Sequence, residues 1–175
     1  MLNINIICVG KIKEKYLKDA IDEYSKRLSK YCNLKFLEIA DEKLPDKTYD
    51  SLLNEVKEKE SKKILENIKK DSYVIALDLK GKEISSEDFS NKIEKISLNN
   101  STITFIIGGT LGFTDRVRSA SNELICFSKM TFPHQLIRLF LTEQLYRAFK
   151  ISKGETYHWW KKDTYWKICI FFLFH

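Results

Sequence analysis

The sequence predicts an α/β fold with a mainly parallel sheet flanked by helices. Two observations carry this prediction. Short β-branched runs alternate along the chain with segments whose apolar residues recur at steps of three and four. No internal repeat or low-complexity stretch interrupts that alternation, and no domain boundary is visible before about residue 158.

Ile4, Ile6, Ile7, Cys8 and Val9 form the first run, stopped by Gly10, as expected of a buried strand. Leu17, Ala20, Ile21, Tyr24, Leu28 and Tyr31 then lie on one face of a helix, with Lys18, Asp22, Lys26 and Lys30 on the other. Leu34 to Ile39 alternates apolar and polar residues and reads as a second strand, followed by a charged loop containing Pro45. From about Asp50 to Lys69 the chain is helical again. Leu53, Val56, Ile64 and Ile68 give the buried stripe, and Glu55 with Lys59 or Glu58 with Lys62 give outward i,i+4 pairs. Tyr73 to Leu79 is the third strand. Ser85 with Asp88 resembles a capping box that opens a helix through Ile96. Thr102 to Ile107 is a fourth, β-branched strand. Thr114 and Asp115 can cap a short helix through Ala120, and Leu124 to Phe127 is the fifth strand. The last helix runs from about Pro133 to Ile151, with proline at or near its first turn.

Composition narrows the class. The chain has 175 residues, 43% hydrophobic and 31% charged, enough for one domain with a sizeable core. Six Gly and two Pro exclude a collagen-like or linker-rich chain. Lys+Arg outnumber Asp+Glu by 30 to 24, a net charge of +6 that permits nucleic-acid binding without proving it. Cys8, Cys32, Cys126 and Cys169 show no C-x-x-C spacing, so no metal site is expected; they read as buried thiols in a reducing cytoplasm. Met1 to Val9 lacks the basic region of a signal peptide, and Ile168 to Phe174 is far short of the roughly 20 residues of a membrane span. No membrane partner is expected.

Ligands of open parallel sheets bind beyond the carboxyl ends of the strands, where three loops qualify. The first is Ala76 to Lys82. The second, Ile106 to Phe113, carries Gly108, Gly109 and Gly112 in a G-G-x-x-G spacing that fits neither a dinucleotide fingerprint nor a P-loop. It is either a tight turn or a place where backbone approaches a ligand. The third, Phe127 to Gln135, holds Met130, Phe132 and Pro133, apolar residues that either pack under a neighbouring segment or line a pocket for a flat ligand. His134 is a general base or a helix-end histidine in a structural hydrogen bond. In the last helix Leu136, Ile137, Leu139, Phe140, Leu141, Leu145, Ala148 and Phe149 leave more than one apolar face, which calls for a partner subunit. Arg138, Glu143, Gln144 and Arg147 need partners if buried, and Arg138, Arg147, Lys150 and Lys153 form a basic cluster suited to phosphate.

Taken together, these stretches resemble the RlmH (YbeA-like) family of the SPOUT superfamily. The matching segments are Val9-Gly10-Lys11, Glu14 to Lys30, Ile107-Gly108-Gly109 with Gly112, SKMTFPHQLIR from Ser128 to Arg138, EQLYRAFKI from Glu143 to Ile151, and Gly154-Glu155 with Tyr157-His158. The resemblance covers about residues 1–158 as a single domain. It implies a SPOUT-type domain with a deep trefoil knot in its C-terminal half, an obligate homodimer, and S-adenosylmethionine-dependent methylation of N3 of a pseudouridine in 23S rRNA on assembled ribosomes. By position it implies cofactor contacts at Leu77, Gly108, Phe127, Ser128, Lys129, Met130, Thr131 and Phe132. The N3 imide proton must leave before the nitrogen attacks, so a base or a stabilising cation is required. Arg138 and His158 are the residues expected to act on substrate, with His134 and Tyr157 also available. The alternatives are a non-catalytic RNA- or ribosome-binding dimer, or an α/β enzyme acting on another small substrate. Residues 159–175 run past the family's ending as an atypical apolar extension, expected to dock or aggregate and to be dispensable for folding.

Overall fold

The two runs richest in β-branched residues, β1 (Leu2–Val9) and β4 (Thr102–Ile107), lie side by side at the centre of the sheet. A computed structural model describes residues 1–44 and 49–157. The remaining strands are β2 (Cys32–Ile39), β3 (Tyr73–Glu83) and β5 (Glu123–Cys126), in the spatial order β2-β1-β4-β3-β5 with every pairing parallel. All six residues of β4 are buried, as a strand covered by helices on both faces requires. The expected α/β class with a parallel sheet is therefore the observed one.

The helices are α1 (Lys15–Leu28), α2 (Asp50–Glu66), α3 (Ser86–Asn99), α4 (Asp115–Ala120) and α5 (His134–Ser152). On one sheet face Leu28, Phe89, Ile93, Leu141, Leu145 and Ala148 from α1, α3 and α5 close over Ile4, Ile6, Ile75, Ile103 and Phe105. On the other, Ile64 of α2, Val117 of α4 and Phe113 pack over Ile7, Val9, Ala76 and Ile106.

Several local expectations meet a physical correction. The Ser85 hydroxyl accepts the Asp88 N–H at 3.0 Å and so caps α3. Thr114 occupies the N-cap of α4 without capping it; its Oγ1 is buried without a partner among the described residues, and its N–H donates to Ser61 Oγ at 3.3 Å. Pro133 is the N-cap of α5 rather than part of its first turn. Glu55 does pair with Lys59, but Glu58 reaches across to Arg116 at 3.9 Å and Lys62 turns to Glu66 at 4.0 Å. Cys8, Cys32 and Cys126 are buried free thiols, and burial pushes the first two up to about 12. The loop around Pro45 (45–48), Cys169 and the extension at 159–175 lie outside the described residues. Among the described residues no helix is long and apolar enough to cross a membrane.

The third strand departs furthest from expectation. It continues past Leu79 to Glu83 and bends, so that Ile125 of β5 pairs first with Leu77 and again with Lys82. Gly81 stands at the bend, where a Cβ would lie 2.6 Å from the Ile125 carbonyl carbon and 2.7 Å from that of Leu124. A methyl there has backbone on its far side and nowhere to go. Gly81→Ala should therefore destabilise the domain by about 2 kcal/mol or more. Urea unfolding checks this, with exposed Lys80→Ala as a control expected to shift by less than about 0.5 kcal/mol.

Candidate functional site

The carboxyl ends of β3, β4 and β5 open into one cavity of about 610 Å³. Leu77, Gly108, Phe127, Ser128, Met130, Thr131 and Phe132 all line it; Lys129, though within the same loop, does not. The walls are largely apolar: Leu77, Ile107, Phe113, Ile125 and Ile137 surround the space. The distal half of β3 is braced by an ion pair, Arg118 Nε to Asp78 Oδ2 at 2.7 Å, and Asp78 Oδ1 also accepts the Lys80 N–H at 2.8 Å. In the loop after β5, Ser128 Oγ accepts the Met130 N–H at 3.1 Å, and Phe132 meets Phe140 edge-on at 5.3 Å between centroids. The apolar loop residues thus do both things open to them, packing on α5 and facing the cavity.

Gly108 decides how close a ligand can come. A Cβ there would meet the buried Phe113 ring at 3.0–3.3 Å, so the bare backbone is the cavity wall. An apolar slot with backbone for one wall suits a flat, partly polar ligand.

His134, the first residue of α5, lines this cavity and a smaller one of about 240 Å³ beside it. Burial and the nearby Arg138 guanidinium hold its pKa below the ordinary histidine value, leaving it uncharged at neutral pH.

Arg138 is 0% exposed. Its Nη2 donates to the carbonyls of Val9 at 2.7 Å and Gly10 at 2.9 Å, and its Nη1 donates to Glu38 Oε1 at 3.0 Å. Glu38 also accepts the Ile12 N–H at 3.3 Å, and Gln135 Oε1 accepts that of Lys13 at 3.1 Å. These contacts fasten the β1–α1 connection, with Gly10 at φ +84°, to the start of α5. In this chain Arg138 is a clamp beneath the site: both terminal nitrogens of its guanidinium are held by protein groups, while its buried Nε has no partner among the described residues.

Two more members of the basic cluster expected along α5 are paired as well, while Lys153 is exposed. Arg147 holds Glu143 at 3.0 and 2.5 Å, and Lys150 is bonded to Glu155. Gln144 accepts from Ser86 Oγ at 2.8 Å. Tyr157 is half-buried under the Arg147 guanidinium, 4.9 Å from its ring centroid, and donates to Glu143 Oε1 at 3.2 Å. It lies toward the far end of α5, about 15 Å or more along the axis from His134. His158 lies outside the described residues.

Sequence reading missed Glu60 and the Asp78–Arg118 pair. Glu60 sits on the inward stripe of α2, between Val56 and Ile64, where the steps of three and four demand a buried residue. That gap in the stripe was the available signal.

A family model described as "Predicted SPOUT methyltransferase" matches residues 2–158. The chain belongs to the SPOUT methyltransferase family. Within SPOUT proteins it is 61% identical over 158 residues to the ribosomal RNA large subunit methyltransferase H of Clostridium botulinum (strain Kyoto / Type A2), covering 90% of this chain and 99% of that protein. The corresponding protein of Clostridium acetobutylicum is 58% identical over 160 residues, with the same coverage of both chains. The resemblance to the RlmH branch read from the loop and α5 stretches is thereby established. A solved probable methylase family protein from Haemophilus influenzae Rd KW20 superposes with a TM-score of 0.53 over 90% of this chain and 70% of that one. At 12% identity, that likeness speaks for the SPOUT fold alone.

Proposed function

We propose that this protein is a large-subunit rRNA methyltransferase that uses S-adenosylmethionine to methylate N3 of pseudouridine 1915 in 23S rRNA on assembled ribosomes, in the cytoplasm. The observation that carries the reading is the convergence of three strand-end loops on one apolar cavity. The chain is about 60% identical, over nearly their whole length, to relatives named for large-subunit rRNA methylation.

The sulfonium methyl is already electrophilic, so the protein's part is to hold the donor and expose the imide nitrogen. Leu77, Gly108 and Phe127 to Phe132 hold the donor, Lys129 being the member of that run placed away from the cavity. His134, uncharged and on the cavity wall, is able to accept the N3 proton. Arg138 serves by fixing the β1 end and the first turn of α5, a positioning role. His158 is proposed to act on the pseudouridine, with Tyr157 before it held by Glu143 and Arg147 away from the cavity.

The proposal includes the homodimer and the trefoil knot. Support for the knot comes from membership of the SPOUT family. Support for the dimer comes from α5, where Leu136, Leu139 and Phe140 stay partly exposed, Phe140 by 36%, although the helix packs two other helices. Wild-type chain should scatter light as twice 20.6 kDa. Phe140→Asp should shift it toward the single-chain mass or into aggregates, because a dimer core cannot solvate the carboxylate. A folded Phe140→Asp dimer of wild-type affinity would refute α5 as the interface.

Ribosomes lacking this modification, incubated with labelled S-adenosylmethionine, test the function itself. Label should enter 23S rRNA of assembled ribosomes. Cofactor binding with no transfer under those conditions identifies a non-catalytic ribosome binder instead.

A further inference from the structure

The smaller cavity is bounded by Val9 at the end of β1, the segment Asp41 to Leu44, Val56 and Glu60 of α2, and His134. It shares Gly109, Thr110, Leu111 and His134 with the larger one, so the two are compartments on either side of the glycine loop. Glu60 is 5% exposed. Its Oε1 accepts the Glu42 N–H at 3.1 Å, and among the described residues no hydrogen bond reaches Oε2. That free oxygen faces the glycine loop: a Cβ on Gly109 would lie 2.8 Å from it.

Among the described residues no cation is bonded to this carboxylate, and the nearest to act on it, Lys63, is engaged elsewhere. Asp41 and Glu42 add negative charge, Lys63 is bonded to Glu42 and the Ala40 carbonyl, Lys43 is exposed, and His134 is uncharged. Burial raises the Glu60 carboxyl's pKa, reinforced by Asp41 and Glu42 and opposed by the Glu42 amide and, more weakly, by Lys63. A buried acceptor in such a field is costly unless something positive arrives. The cofactor brings such a charge, the α-ammonium at the end of a short chain from its sulfur. The acid of the larger cavity, Asp78, is already committed to Arg118 and the Lys80 amide.

We infer that Glu60 is the counter-charge for the cofactor's α-ammonium, received across the glycine loop in the smaller cavity. This rests on the cofactor assignment above and extends it to a residue of α2 outside the three loops. Glu60→Gln keeps an oxygen for the Glu42 N–H while removing the charge, so it separates ammonium binding from support of the loop.

Calorimetry on the full chain decides between them. Titrants are S-adenosylhomocysteine, which carries the ammonium, and 5′-methylthioadenosine, which keeps the adenosine and thioether but lacks the amino-acid end. Glu60→Gln should weaken S-adenosylhomocysteine by roughly tenfold or more and leave methylthioadenosine within about twofold. Equal weakening of both ligands, or of neither, overturns the inference. Should the variant fail to fold, the wild type answers through the deaminated analogue of S-adenosylhomocysteine. A loss of roughly tenfold supports the counter-charge, and equal affinity overturns it. Wild-type protein that binds none of these ligands would instead refute the cofactor assignment itself.

Discussion

Arg138→Ala should cost about 3–5 kcal/mol of folding stability, the largest loss expected from any single truncation in α5. The guanidinium is wholly buried and is shared among the Val9 and Gly10 carbonyls and Glu38. Removing it leaves two inward carbonyls without this donor and Glu38 with the Ile12 N–H alone, and opens a cavity the size of the side chain. Typical domains hold only about 5–15 kcal/mol in total, so the variant would populate unfolded chain under mild denaturant. Arg138→Lys should recover only part of the loss, because one ammonium cannot reproduce the forked geometry. Urea titration followed by circular dichroism measures both. A change below about 1 kcal/mol for Arg138→Ala would show that water or other groups satisfy those acceptors, and the clamp would be discounted.

Sequence reading set Arg138 toward the substrate, and the structure adds which protein groups its guanidinium meets. A charge in a mostly apolar helix invites a functional reading, yet Arg138, Leu141, Leu145 and Ala148 follow one another at steps of three and four along the buried line of α5. Periodicity therefore already assigned Arg138 to the core; what it could not supply was the identity of its partners, which lie about 130 residues earlier in β1. Glu60 is the same case on α2. In both helices the inward position was legible and the reason for a charged residue there was not, since that reason is a tertiary contact.

The strands were legible to within a few residues because buried parallel strands announce themselves as continuous β-branched runs. The exception is β3, whose continuation through Asp78, Lys80 and Lys82 carries no such signal. Its distal half pairs because β5 lies alongside it, and sequence holds no mark of that beyond Gly81. The three loops of the cavity were found because they follow strand ends, a rule of topology that needs no side-chain coordinates. The pairing of Arg147 and Lys150 with Glu143 and Glu155 was within reach of i,i+4 arithmetic in the first case and hidden by the chain's turn at Gly154 in the second.

Gly108→Val should lower S-adenosylmethionine affinity by about 100-fold or more, equivalent to roughly 2.7 kcal/mol. The backbone at Gly108 is a wall of the large cavity, and the position behind it is filled: a Cβ already meets the Phe113 ring at 3.0–3.3 Å. Valine adds two further methyl groups. They must either enter the cavity, excluding ligand, or displace Phe113, which is buried against the α2 and α4 layer. The first route removes binding at little expense in stability. The second also weakens the fold by about 1–3 kcal/mol, because the core beyond Phe113 is packed. Calorimetric titration together with urea unfolding separates the two routes, and Gly108→Ala should fall between valine and wild type on both scales. Lys129→Ala serves as the contrast, since Lys129 belongs to the same run of implied contacts but does not line the cavity; its affinity should stay within a few-fold of wild type. If Gly108→Val bound the cofactor as wild type does, the glycine loop would be a turn and nothing more. If Lys129→Ala lost binding as severely, the ligand would have to sit outside the cavity, over the exposed side of the loop after β5, and the close approach of backbone at Gly108 would have no part in holding it.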